Sequence, residues 1–214
     1  MRVLSLAPLH NTGTKRDATG AFQPEAVAFV DPIPLPNSTL PATIDNSLPA
    51  AKMRAEVAAR IRGFAPDVLA FFCHGWRTGI QFGWNLDSID TLASVIAESC
   101  TSDAPIVALY ACSTASGGVG GDGGFADQLR DALCQAGAVN CRVDAHDRPG
   151  HTTRNPYVRR FEGQGSTVGG TGGQWIVAPG SALWKPWRTA LQKTDLRLRF
   201  PLMTIAEIHE EVTK

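Results

Sequence analysis

The stretch DVLAFFCHGW, residues 67–76, decides how the rest of the chain is read. Its apolar run is continuous rather than alternating, the pattern of a strand covered on both faces, and it stops at His74-Gly75. A second run of the same kind, PIVALYAC (105–112), stops at Cys112-Ser113. Between them Ile89, Leu92 and Ile96 recur at steps of three and four behind Asp87, which reads as a helix with Asp87 as its N-cap. Strand, helix, strand is the signature of a parallel crossover unit, and that unit sets the fold class.

Further strand-length apolar runs stand at RVLSLAPL (2–9), AVAFV (26–30), CRVDAH (141–146) and QWIVAP (174–179). Met53, Val57 and Ile61 follow the four-residue step of a helix, as do Phe125, Leu129 and Leu133. The alternation predicts an α/β three-layer sandwich with a mostly parallel sheet of about six strands, in a single domain over residues 1–214. Residues 31–50, with five prolines, are expected to form an extended loop before the first helix. GQGSTVGGTGG (163–173) reads as a flexible loop, and residues 181–214 as a C-terminal extension with Trp184, Trp187 and a short final helix.

Composition excludes several classes. The 43% hydrophobic and 19% charged residues are those of an ordinary globular protein. A formal net charge of +0 supplies no excess of Lys and Arg for nucleic acid or an anionic membrane. No run approaches the ~20 apolar residues that span a bilayer, and MRVLSLAPLH is too short for a signal peptide. The five cysteines, Cys73, Cys100, Cys112, Cys134 and Cys141, include no C-x-x-C and are odd in number. Free thiols in a reducing, cytoplasmic setting are therefore expected.

Ligands of open α/β sheets collect beyond the carboxyl ends of parallel strands, which singles out His74 and Cys112. A thiolate is a nucleophile, and an imidazole at the same rim can deprotonate it and protonate a leaving amine. Gly75 brings a backbone N–H close to a developing oxyanion with no side chain in the way, and the Cys112 N–H completes an oxyanion hole. Cys73 points the other way along the strand and is read as core, with Cys100, Cys134 and Cys141 given no chemistry.

LAFFCHGW followed by IVALYACSTASGG resembles the paired strand-end motifs of the caspase-like cysteine peptidases, the clan of caspases, metacaspases, clostripain-like enzymes and CHAT domains. The likeness is nearest to bacterial CHAT sequences and covers residues 67–118, with a compatible element order over 1–180. It implies a caspase-like fold and a cysteine endopeptidase acting on a protein or peptide, with His74 as general acid/base, Cys112 as nucleophile and no cofactor. The caspase signature Gln-Ala-Cys-x-Gly is absent, since Tyr110-Ala111-Cys112-Ser113-Thr114 stands there, so Asp-specific cleavage is not carried over.

Other features stay beside this reading. The segment VDAHDRPGHTTRNP (143–156) gathers Asp144, His146, Asp147, His151 and Arg154 without the helical spacing that fixes a metal site, so no metal is expected. As a loop bordering the site it offers Asp147, His151 and Arg154 as substrate contacts, with Trp76 as a further specificity residue. GVGGDG (118–123) fits G-x-G-x-x-G, with Asp144 further on, and keeps a nucleotide-binding protein open as an alternative. A catalytically inactive binding or signalling module of the same fold is the other. No G-x-S-x-G elbow is present, which removes an α/β-hydrolase.

Overall fold

The structure, a computed structural model, describes residues 1–10, 22–151, 155–163, 173–193, 196 and 200–214. Its scaffold is one seven-stranded sheet of order β10-β9-β8-β7-β3-β1-β2. The strands are β1 (Val3–Pro8), β2 (Ala42–Ile44), β3 (Val68–Phe72), β7 (Ile106–Tyr110), β8 (Arg142–His146), β9 (Val158–Glu162) and β10 (Gln174–Trp175). From β2 through β8 the neighbours run parallel, while β9 and β10 add antiparallel. A second, three-stranded antiparallel sheet, β4 (Gly75–Trp76), β5 (Gly79–Ile80) and β6 (Trp84–Asn85), follows β3 directly.

Strands buried on both faces require helices on both. Leu4, Leu6, Leu69, Phe71, Val107 and Leu109 face one core, closed by α2 (Ala50–Phe64), α3 (Ile89–Ser99) and α4 (Phe125–Gln135). Val3, Val68, Ala70, Phe72, Ala108 and Tyr110 face the other, closed by α1 (Gln23–Val30), α5 (Trp184–Ala190) and α6 (Ile205–Thr213). The alternation of these two sets along each strand gives the three layers. Among the described residues, no helix is long and apolar enough to cross a membrane.

Several expectations need correction. AVAFV (26–30) is the end of α1 and not a strand: Pro24 and Glu25 suit a first helical turn, and Ala26, Phe29 and Val30 bury one helical stripe. The Pro-rich segment 31–50 therefore follows a helix, and it contains the edge strand β2. β9 adds a strand that hydropathy does not reveal. QWIVAP (174–179) pairs only at Gln174 and Trp175, although Ile176 and Val177 are buried. Asp87 caps nothing: it sits in a 3-10 turn, Leu86–Ser88, where Asn85 and Ser88 make the capping box. The Gly-rich loop of 163–173 falls at 164–172 outside the described residues. In the C-terminal extension Trp187 is core, and α6 carries its own capping box between Thr204 and Glu207.

Candidate active site

β3 and β7 are adjacent and in register, with Phe72 opposite Tyr110. Both chains leave the sheet at the same rim, and two residues later one presents His74 and the other Cys112. The His74 backbone is clamped by a single side chain and its own amide: the His74 N–H donates to Gln81 Oε1 at 3.2 Å, and the Gln81 N–H donates to the His74 carbonyl at 2.9 Å. The Phe22 ring meets the imidazole edge-on, with centroids 5.0 Å apart.

Cys112 sits on a sharp reversal. Ser113, the next residue, is left-handed at φ 59°, a conformation that costs a non-glycine residue on the order of 1 kcal/mol. Hydrogen bonds on both sides hold the reversal closed, among them the Ser116 N–H to the Ser113 carbonyl at 3.0 Å. Thr114 Oγ1 donates to the Ala111 carbonyl at 3.0 Å and Ser116 Oγ to the Ser113 carbonyl at 2.6 Å. The Ala115 N–H donates to His146 of β8 at 2.9 Å, and the Thr114 carbonyl accepts from Ala126 of α4 at 2.9 Å.

Gly75 joins the two halves. A Cβ there would stand 2.7 Å from Ala111 Cβ, 2.8 Å from the Cys112 carbonyl oxygen and 2.8 Å from Thr114 Cγ2. Only a glycine lets the His74 strand lie this close to the Cys112 turn. Gly75→Ala is accordingly expected to cost about 1–3 kcal/mol of stability and to part His74 from Cys112. Thermal unfolding, together with the rate of Cys112 alkylation, checks both effects; an alanine accommodated without change in either contradicts the packing described.

The two cysteines at this rim differ in environment. Cys73 is buried, and desolvation pushes its thiol far above the usual range, so at neutral pH it stays protonated. Cys112 is half-buried, and its Sγ donates to the Gly150 carbonyl at 3.4 Å. Gly150 belongs to a turn after β8 that Asn155 holds: Asn155 Nδ2 donates to the Arg148 carbonyl at 2.6 Å, and the Asn155 N–H donates to the His151 carbonyl at 3.0 Å.

The remaining predicted residues are dispersed. Asp147 pairs with Arg159 of β9 at 3.3 Å, which neutralises it as a charge selector. His151 Nδ1 lies 3.5 Å from Glu25 of α1. Trp76 is 55% exposed beside His74, whereas Trp84 and Trp187 are core. Arg154 lies outside the described residues. Sequence reasoning missed Phe22, Gln81, Gly150 and Asn155. Of these only Gly150 carried a signal, the Pro149-Gly150 turn dipeptide.

The Gly-rich segment 118–123 is bonded largely within itself. Several amides of the segment and of the start of α4 are already bonded: Gly118 to Asp122, Gly121 to Gly118, Asp122 to Val119, Gly124 to Gly121, Phe125 to Arg77 and Ala126 to Thr114. The Gly123 N–H goes to the Asp127 carboxylate, itself a negative charge where a phosphate would bind. Asp144 is buried within β8 and paired with Arg160 at 2.8 Å, so it offers no ribose contact. Comparison of the chain with protein-family models gives no match, and comparison with curated proteins gives none either.

Proposed function

We propose that the chain is a cysteine endopeptidase of caspase-like architecture, with Cys112 and His74 as its dyad. The observation that carries the reading is the β3–β7 register, which sets the two residues at neighbouring strand ends while Gly75 closes against the Cys112 carbonyl. The resemblance of LAFFCHGW and IVALYACSTASGG to caspase-like motifs supports it. Cys112 Sγ attacks the scissile carbonyl as His74 takes the thiol proton, and the amides of Gly75 and Cys112 receive the oxyanion. His74 returns the proton to the leaving amine; water, deprotonated by His74, then adds to the acyl carbon, the C–S bond breaks, and the carboxyl product leaves as His74 returns the proton to Cys112. Apart from substrate and water, the steps use groups of this chain.

Incubation with a mixture of proteome-derived peptides tests the reading by the appearance of new amino termini. The active protein generates them, whereas the His74→Ala protein does not. Termini that appear equally with both exclude the dyad. A second reading has the Gly150 carbonyl on its side, because it occupies the acceptor position over Cys112. On that reading the chain is a binding module of the same fold, and no new termini appear with either protein.

A further inference from the structure

Cys134 and Cys141 stand at the opposite end of the sheet from His74 and Cys112. Cys134 is the penultimate residue of α4, and Cys141 immediately precedes β8. Their Sγ atoms are 3.6 Å apart, a direct sulfur–sulfur contact. Cys141 is fully buried in the core beneath α4, while Cys134 is half-buried. Cys134 Sγ also donates to the Gly163 carbonyl at 3.0 Å, just beyond β9.

We propose that Cys134 and Cys141 are a dithiol modification site, converted by hydrogen peroxide into an intramolecular disulfide that ties the end of α4 to the start of β8. The more accessible Cys134 attacks the O–O bond, giving a sulfenic acid and one water. Cys141 then attacks that sulfur; the S–O bond breaks, the S–S bond forms, and a second water leaves. Two thiols lose two hydrogens and one peroxide is reduced, so the reaction balances. Burial pushes the Cys141 thiol up, which leaves the first step to Cys134; the 3.6 Å contact then sets Cys141 against the sulfenic sulfur, where it gives up its proton as the S–S bond forms.

The movement required is small. Bonded sulfurs lie at ~2.05 Å, so the contact must close by about 1.5 Å. Cys134 is in the last turn of α4, whose following turn at Gly137 has φ 96°, and helix ends adjust more readily than centres. The bond replaces the hydrogen bond from Cys134 to Gly163, and so loosens the anchor at the end of β9 as it fixes α4. This site does not depend on the peptidase reading.

Trypsin gives a direct readout, because the peptide Asp131–Arg142 contains Cys134 and Cys141 and no other cysteine. After mild peroxide, denaturing alkylation and digestion, the expected peptide is two hydrogens lighter and unalkylated, and dithiothreitol returns it to the doubly alkylated form. In Cys141→Ser the reaction stops at a Cys134 sulfenic acid that dimedone captures. A doubly alkylated peptide while other cysteines oxidise overturns the proposal, as does a Cys134 sulfinic acid without the cross-link. Should Cys141→Ser fail to fold, the mass of the parent peptide decides alone.

Discussion

Cys112→Ala is expected to lower peptide hydrolysis on the order of 10³-fold or more and to leave stability within roughly 1 kcal/mol of the parent. The two halves of this expectation have separate causes. The nucleophile is irreplaceable in a covalent mechanism, since a methyl group forms no thioester. Its structural contribution is slight, because the side chain is half-buried and its bond to Gly150 is a long sulfur contact of 3.4 Å. Initial rates on a cleaved peptide, paired with a urea melt, separate the two. Unaltered hydrolysis in the alanine protein removes Cys112 from the chemistry, and a collapse of stability makes it a packing residue.

The largest stability effect is expected at Asp144→Ala, with a loss of about 3–5 kcal/mol. Asp144 has no exposed side-chain surface and lies 2.8 Å from Arg160 and 3.2 Å from Arg142. Arg160 is itself buried and donates onward to the carbonyls of Phe200 and Met203, tying the C-terminal segment to the sheet. Removing the carboxylate leaves the buried guanidinium with only the half-exposed Glu162, 3.7 Å away, as counter-charge. The consequence reaches the site, because Phe200 packs on Tyr110 at 5.9 Å, two residues before Cys112. Asp144→Asn keeps an oxygen for Arg160 and is expected to lose less. A urea midpoint in Asp144→Ala equal to the parent's contradicts this role.

How much of this was readable before the structure depends on what each segment buries. β3 and β7 are central strands covered on both faces, so their uninterrupted apolar runs identify them and their ends identify His74 and Cys112; β1 is broken only by Ser5, and β8 carries Asp144 and His146 between its apolar residues. α1 is as apolar as a strand over 26–30 and only eight residues long, and at that length periodicity does not separate the two. β9 is hidden for the opposite reason. Its Arg160 points inward because Asp144 on β8 receives it, a pairing across strands that hydropathy along one strand cannot register. The strands β4 to β6 have two residues each and are defined by pairing alone.

The site divides the same way. His74, Gly75 and Cys112 were legible because strand-end position and residue chemistry coincide. Gly150 and Phe22 were not, because they reach the site from segments whose placement is tertiary. The Asp147 carboxylate was legible as a charge and not as half of a pair, since Arg159 joins it only when β9 folds back on β8.

The most direct test of the central claim is the rate at which iodoacetamide labels Cys112 at neutral pH, read on the peptide that carries it, in the parent protein and in His74→Ala. The dyad predicts that labelling of Cys112 falls on the order of tenfold or more without His74, while labelling of Cys134 and Cys100 is unchanged. Equal Cys112 rates in the two proteins would contradict the account and leave the rim of β3 and β7 as a binding surface.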